Sequence, residues 1–379
     1  MKFLFICGSL EPGRDGVGDY VQHLSAELIR KGHEVMAVAI NDRHIKTEFR
    51  GVQAFTGTEV PVLRLPSVIP EKQRYMEVKS CREDFRPDWI SLQFVPYSFH
   101  NKGLPYQLNH LLKLIGREQR WHIMFHELWL GFSSNSPMKD RIIGFLQRSI
   151  ISRFVDFLKP ELITTSNLLY KKLLESNDIR TVILPLFSNI PVAPRDDQFT
   201  NGFLAKIGIN STNRKEWRLF GIFGNIYPDS SLDNAIDEQL EITEKLGLKS
   251  AFIGVGNLNV FGLNEFNRLE NKYGKRMTFI HLGIQSQEKI SNVLRMLDYG
   301  ISCTPSEHIG KSGVFATMKL HGLPVILPKH DYERDNDEET QHYNDYFMKR
   351  PAYTWEVSYV TDYYIRLLTD KNVINKSIL

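Results

Sequence analysis

Three cysteines in 379 residues (Cys7, Cys81 and Cys303) are too few, too far apart and odd in number for a disulfide framework. Two of them lie in apolar runs and read as buried thiols of a protein kept in a reducing compartment. Long hydrophobic runs are missing too: none reaches the roughly 18 residues of a membrane span. The opening MKFLFICGSLEPGRDG carries a lysine and a short apolar run, but Gly13-Arg14-Asp15 breaks it before a signal-peptide core can form. It reads as a first β-strand, and the expected location is cytoplasmic. Excess charge is small, +3 overall, and no zinc-finger spacing, RNA-binding aromatic motif or long basic tract accompanies it. Nucleic acid is therefore not an expected partner.

Complete ligand fingerprints are scarce as well. There is no G-x-x-x-x-G-K-S/T, H-E-x-x-H or C-x-x-C. A dinucleotide fingerprint is incomplete, because Gly16-Val17-Gly18 lacks its third glycine and no acid stands in the expected register at the tip of the second strand. The one D-x-D, Asp335-Asn336-Asp337, follows no strand and sits in a strongly charged segment, so it reads as a solvated acidic loop. No metal site and no cofactor are expected.

What the chain does have is repeated alternation of short apolar runs with amphipathic stretches, over a length that suits two domains. Phe3–Cys7 reads as a buried strand, Gly8–Gly18 as a glycine-rich loop, Asp19–Lys31 as a helix stopped by Gly32, and Glu34–Ile40 as a second strand, which together imply a parallel sheet with a right-handed crossover. Strands follow at Trp89–Phe94, His122–Phe125, Leu162–Thr165 and Val182–Leu184, with helices at Leu104–Gly116 and Lys139–Leu158. The last of these has Ile142, Ile143, Phe145, Leu146, Ile150, Phe154 and Phe157 as its expected inner face, and Arg141, Arg148, Arg153 and Lys159 along a basic outer edge. That edge offers a peripheral contact with an anionic membrane as an alternative to plain core packing. Phe187–Arg218 shifts in composition and reads as the interdomain linker and the start of the second domain. Beyond it the pattern restarts, with strands at Leu219–Phe223, Ser250–Val255 and Met277–His281 and helices at Leu232–Lys245 and Gln287–Leu297. A final amphipathic helix near Ser358–Leu368 is placed to cross back to the first domain.

One stretch organises the second half: ISCTPSEHIGKSGVFATMKLHGLPVILPK, residues 301–329. It reads as strand, loop, helix and strand, the helix being stopped by Gly322-Leu323-Pro324. Gly310-Lys311-Ser312-Gly313 falls where the helix begins. Unpaired backbone N–H groups and the positive dipole end meet there, which suits a phosphate or diphosphate, while an ordinary loop with a solvated lysine is the plainer alternative. At the end of another strand stand His126 and Glu127. Imidazole carries or withholds a proton near neutral pH, and Glu127 is placed to orient it. A hydrogen-bonded strand-end histidine without chemistry is the alternative.

With these residues in view, the sequence resembles a GT-B glycosyltransferase. The two Rossmann-like halves, the loop Gly13–Gly18 and the His126-Glu127 pair carry the resemblance, and retaining family 4 is the group it is most similar to. Gly322-Leu323-Pro324-Val325 matches that family's G-x-P-V, and Thr354-Trp355-Glu356 its closing aromatic–acid segment. The resemblance implies an α/β fold of two Rossmann-like domains with an interdomain cleft. Residues 1–190 with the C-terminal helix 355–379 would bind the acceptor, and 191–354 the nucleotide-sugar donor. It departs from the family at the E-x7-E pair, whose places fall at Ile309 and Thr317, and at the two diphosphate-binding cations, where the loop after the first strand of domain two offers Asn225 and Ser230 or Ser231.

The implied activity is transfer of a sugar from a nucleotide-sugar to a hydroxyl of a glycan or glycoconjugate, with retention and without metal. Candidate catalytic residues are His126 and Glu307, two residues from the lost carboxylate position. Candidate donor-binding residues are Gly224, Asn225, Lys311, Ser312, Gly313 and Thr317, with Lys329 a second cation. Candidate acceptor contacts are Gly16, Gly18 and Asp19, where backbone donors are expected to face the ligand, and Gln93 and Tyr97. Two alternatives stand beside this: a GT-B subunit that binds without transferring, and a transferase using an unusual sugar-phosphate donor.

Overall fold

The computed structural model describes residues 1–133, 136–226, 232–328 and 338–370. Ser230, Ser231, Lys329 and Asp335-Asn336-Asp337 lie outside these. The chain divides into two compact units: Met1–Pro185 together with the chain from Thr361, and Leu186–Val360.

In the first unit the order is β1 (Lys2–Cys7), α1 (Gly16–Arg30), β2 (Glu34–Asp42), β3 (Phe49–Phe55), β4 (Thr58–Pro66), α2 (Glu71–Phe85), β5 (Trp89–Phe94), α3 (Pro96–Phe99), α4 (Leu108–Ile115), β6 (Trp121–Phe125), α5 (Met138–Leu158), β7 (Leu162–Thr165), α6 (Leu168–Glu175) and β8 (Val182–Ile183). Its eight strands lie in the order β3-β4-β2-β1-β5-β6-β7-β8, and the pairs are parallel except β3 with β4. Continuous apolar runs explain the centre: Phe3 through Cys7 have no exposed surface, as expected of a strand covered on both faces. The β3–β4 hairpin has no such signature. β3 is an edge strand with mostly exposed side chains, and its turn rests on Thr56 and Gly57, both at positive φ.

α2 was equally silent in the sequence because a cation serves as one of its core residues. Arg74 is buried and donates to the Ile69 and Ile40 carbonyls and to Asn41 Oδ1. α5 departs from its expected face: Ile142 and Phe145 are 57% and 62% exposed. The buried stripe is Gly144, Gln147, Ile150, Ile151, Phe154 and Leu158. A small and a polar residue set that rotation. A Cβ on Gly144 would lie 1.8 Å from the Leu130 carbonyl oxygen, while Gln147 accepts from Leu130 N at 2.9 Å and donates to Gly103 O at 3.0 Å.

The second unit contains α7 (Asp197–Ala205), β9 (Trp217–Phe223), α8 (Leu232–Lys245), β10 (Lys249–Val255), α9 (Asn259–Tyr273), β11 (Thr278–His281), α10 (Gln287–Met296), β12 (Tyr299–Ile301), a 3-10 helix (Ser306–Lys311), α11 (Gly313–Leu320), β13 (Val325–Ile326) and α12 (Glu338–Met348). Its sheet runs β11-β10-β9-β12-β13, all parallel. Within the stretch read as linker and start of the second domain, α7 is N-capped by Asp196 and belongs to this unit, where Asn292 and Arg295 of α10 bond the backbone leading into it. The last helix, α13 (Val357–Thr369), enters the first unit at Thr361. No helix among the described residues is long and apolar enough to cross a membrane.

Candidate functional site

Parallel α/β sheets bind ligands beyond the carboxyl ends of their strands, where the strand order reverses. In the first unit that point lies between β1 and β5, and there the loop after β1 meets the turn after β5. A Cβ on Gly8 would fall 2.5 Å from Ser98 Cβ, Asn41 N donates to Gly8 O at 2.9 Å, and Asn41 Nδ2 donates to Ser98 O at 2.9 Å. Behind the loop, Arg64 joins Asp42 (Nε to Oδ2, 2.8 Å) to Glu11, and Leu10 N also donates to Asp42. Burial would raise the Asp42 carboxyl, but Arg64 and the backbone amides of His44 and Leu10 hold it below the usual carboxylate range. Asp42 is thus an acid at the end of β2, consumed inside the protein.

The glycine-rich loop folds differently from expectation. Helix α1 starts at Gly16, and Asp15 caps it, its Oδ1 accepting from Val17 N (2.9 Å) and Gly18 N (2.8 Å). The Gly18 amide, expected to face a ligand, is therefore spent on the chain's own carboxylate. Gly18 is glycine for packing: a Cβ there would sit 2.6 Å from Ser9 O. Asp19 Oδ1 accepts from Gly13 N at 2.9 Å, which closes the loop. Burial pushes its carboxyl up, against that amide's pull and with the Asp15 charge adding to the rise. Gly16 is exposed with open space around it, and Tyr97 is 37% exposed.

His126 follows β6, its backbone N–H donating to Phe94 O at 3.0 Å. Tyr20, near the start of α1, stands edge-on to its ring with centroids 5.0 Å apart, so His126 and the glycine-rich turn share one end of the sheet. Gln93, read as an acceptor contact, has no exposed surface. Its Oε1 lies 2.8 Å from His126 Nε2 and its Nε2 2.7 Å from Ser91 Oγ. Ser91 Oγ is 2.7 Å from His122 Nδ1, His122 Nε2 is 2.8 Å from Thr164 Oγ1, and Tyr364 OH on α13 is 3.1 Å from His122 Nδ1. Burial, with a smaller contribution from His126, pushes His122 down to about 3, so this ring is neutral. The sequence reading missed Ser91, His122, Thr164 and Tyr364. Their signal was polar residues inside apolar strand runs, with Ser91 and Gln93 two apart on one face of β5.

In the second unit the strand order reverses between β9 and β12. Gly224, just past β9 at φ +81°, takes a conformation that L side chains rarely adopt, and a Cβ there would be 2.8 Å from Val314 Cγ2. The loop after β9, with exposed Asn225, is thereby set against the first turn of α11. Among the described residues of that loop none is a cation. Ser312 is the N-cap: its Oγ accepts from Phe315 N at 3.2 Å and pairs with Thr304 Oγ1 at 2.8 Å. Its hydroxyl shapes the helix start, which leaves the Gly313 and Val314 amides as the donors at that end. Space around Gly313 is open, with Asn189 Nδ2 the nearest atom to a Cβ built there at 3.9 Å. Lys311 closes the 3-10 helix immediately before the cap. Glu307 lies on the same helix, its Oε1 3.4 Å from His308 Nε2.

The two positions where carboxylates were sought point inward. Ile309 is fully buried, and Thr317 is 1% exposed. The Thr317 hydroxyl donates to Gly313 O at 2.8 Å and accepts from Ser188 Oγ at 3.0 Å, so it is a core group and offers no oxygen to a ligand.

No family model and no curated protein matches the chain. Solved structures do. HepE of Anabaena, in complex with UDP and glucose, is similar with a TM-score of 0.53 at 12% identity, over 98% of this chain and 100% of its own. The catalytic domain of starch synthase IV from Arabidopsis thaliana, bound to ADP and acarbose, reaches 0.52 at 12% identity over 100% and 99%. A Listeria monocytogenes protein provisionally assigned as a UDP-N-acetylglucosamine 2-epimerase reaches 0.50 at 11% identity over 100% and 90%. At such identities the likeness shows the fold. With two Rossmann-like parallel units in one polypeptide, the chain has the GT-B fold.

Proposed function

We propose that this protein is a glycosyltransferase that moves a sugar from a nucleotide-sugar to an acceptor hydroxyl of a glycan or glycoconjugate. The observation that carries this reading is the reversal point of the second sheet, where Gly224 rests on Val314 and the amides opening α11 stand beside Lys311. Such a helix start suits a diphosphate, whose negative charge builds as the sugar leaves. HepE, solved with UDP and glucose, lends the reading support through a shared fold. In it Lys311 supplies the charge that two missing cations would have given, Gly224 and Asn225 border the nucleotide, and Glu307 contacts the sugar. His126 faces the reacting groups, with Gly16 and Tyr97 as acceptor contacts. Transfer proceeds with retention and without a bound metal.

A thermal-shift screen against UDP, GDP, ADP, TDP and CMP and their sugar conjugates, with and without EDTA, tests it. A ligand at about a hundred times its dissociation constant adds roughly 2.7 kcal/mol of stability. Stabilisation by one nucleotide, lost in Lys311→Ala, is the expected result. Turnover that gives a free 2-epimer of the sugar with no acceptor present would replace transferase with epimerase. Nucleotide binding with neither product would favour a subunit that binds without transferring, the reading that buried Ile309 and Thr317 favour. Silence across the panel would favour an unusual sugar-phosphate donor.

A second reading concerns where the protein works. Met138, Ile142 and Phe145, spaced four and three along α5, are 69%, 57% and 62% exposed, and the exposed cations Lys139, Arg141 and Arg148 flank them. An apolar stripe edged by positive charge fits the surface of an anionic bilayer. Flotation with phosphatidylglycerol vesicles, abolished by Phe145→Glu, is the expected outcome, and no flotation at low salt removes the membrane from the reading.

A further inference from the structure

Gln93, His126 and the buried side chains behind them form one hydrogen-bonded chain whose proton positions follow from its far end. Thr164 Oγ1 lies 3.0 Å from Met124 Sδ. A thioether can only accept, so at this distance the hydroxyl proton of Thr164 lies between the two atoms. Thr164 Oγ1 then accepts from His122 Nε2–H. His122 is neutral, since burial and then the charge of His126 push it down to about 3, so its Nδ1 is an acceptor with a single lone pair. Of the two hydroxyls that reach it, Ser91 Oγ at 2.7 Å is closer than Tyr364 OH at 3.1 Å, and the Ser91 O–H fills it. Ser91 Oγ in turn accepts from Gln93 Nε2, which turns the amide oxygen toward His126. The opposite direction would put the Thr164 proton on His122 and leave oxygen and sulfur facing each other with no proton between them.

We infer that Gln93 is a positioning residue that fixes His126 as the Nε2–H tautomer, so that Nδ1 is the nitrogen with the acceptor lone pair. Its partner is a neutral amide, which orients the ring without the added stabilisation that a carboxylate gives to imidazolium. In that tautomer Nδ1, and not Nε2, is the ring nitrogen able to accept a hydrogen bond. Tyr364, fully buried on α13 and 3.1 Å from His122 Nδ1, closes the inner end of the chain. The role given to His126 rests on the transferase reading, but the tautomer does not.

Long-range 1H–15N spectra of the 15N-histidine-labelled protein, with His126 assigned through His126→Gln, read the tautomer directly. Wild type is expected to show Nε2–H at His126, and an Nδ1–H ring would overturn the inference. Gln93→Met removes the acceptor at similar volume and should release the tautomer, whereas Gln93→Glu keeps an acceptor and should hold it. A His126 ring unchanged in Gln93→Met overturns the inference as well. With transfer measurable, Gln93→Met should lower kcat about 10- to 100-fold with donor KM within twofold, as misplacement of a reacting group does. If the tautomer shifts as expected while turnover stays intact, the positioning stands and the transferase role of His126 falls.

Discussion

Arg64→Met attacks the ion pair that supports the loop after β1. The Arg64 and Asp42 side chains are 8% and 0% exposed, and the guanidinium also reaches Glu11. Removing one partner of a buried pair costs about 3–5 kcal/mol, because the other charge is left without compensation. Here Asp42 keeps two backbone donors, His44 N at 3.0 Å and Leu10 N at 3.3 Å, which places the cost toward about 3 kcal/mol at pH 7. The pH dependence has a definite sign. In wild type the depressed Asp42 pKa contributes stability above the unfolded value near 3.9, lost as pH falls through the lower folded value. In the variant, burial is no longer overcome and the folded pKa rises above the unfolded one. The variant therefore takes up a proton on folding, and its deficit shrinks as pH falls from 7 toward 5. Hydrogen exchange along β1, β2 and β4 should speed up roughly a hundredfold at pH 7 for a loss near 3 kcal/mol, with β9 and β10 unchanged. Adding Asp42→Asn should recover about half of the loss. Unchanged protection at pH 7, or a deficit that grows on acidification, would refute the reasoning.

Acid should also destabilise the first unit through its histidines. Burial holds His122 down to about 3 and, with Arg30 adding, His23 down to about 4. The unfolded chain binds these protons first, so stability falls as pH drops below about 6.5, by up to roughly 1.4 kcal/mol per pH unit for each ring. His122→Gln should flatten the fall in urea midpoint between pH 6 and 4. Gly144→Ala drives a methyl into the Leu130 carbonyl and should cost at least about 3 kcal/mol by thermal or urea unfolding. Gly16→Ala, in open space, should hold or gain up to about 1 kcal/mol in the same assay. Gly313→Ala likewise has room, so its melting temperature should stay within a degree or two. Nucleotide affinity by calorimetry should fall tenfold or more if a phosphate approaches that amide.

Local periodicity made much of the scaffold legible. Runs such as Phe3–Cys7 and Trp89–Phe94 are short and mostly apolar, the pattern of strands covered on both faces, and both are central. Helix α8 begins and ends where its spacing indicates, and Gly322, at φ +70°, stops α11 as a left-handed cap. Periodicity failed where a core position was filled by something other than an apolar side chain. Arg74 hid α2, and Gly144 with Gln147 took the places in the first half of α5 that Ile142 and Phe145 were expected to fill, while Ile150 and Phe154 are buried as their spacing indicates. β3, on the edge and solvated, left no pattern.

By itself, then, the sequence determined the α/β alternation, the restart of the pattern in the second half and the glycine, lysine and serine at the head of α11. Those depend on neighbours a few residues apart. Tertiary structure alone decided which polar groups meet. Tyr364 reaches His122 across 242 residues, and Gln93 turns inward to hold His126. Thr317 Oγ1 accepts from Ser188, 129 residues away, and Gly18 gives its amide to Asp15. A hydrogen bond across parallel strands is set by their order and register. Those are fixed only when the whole sheet assembles, because each buried donor must then find its acceptor.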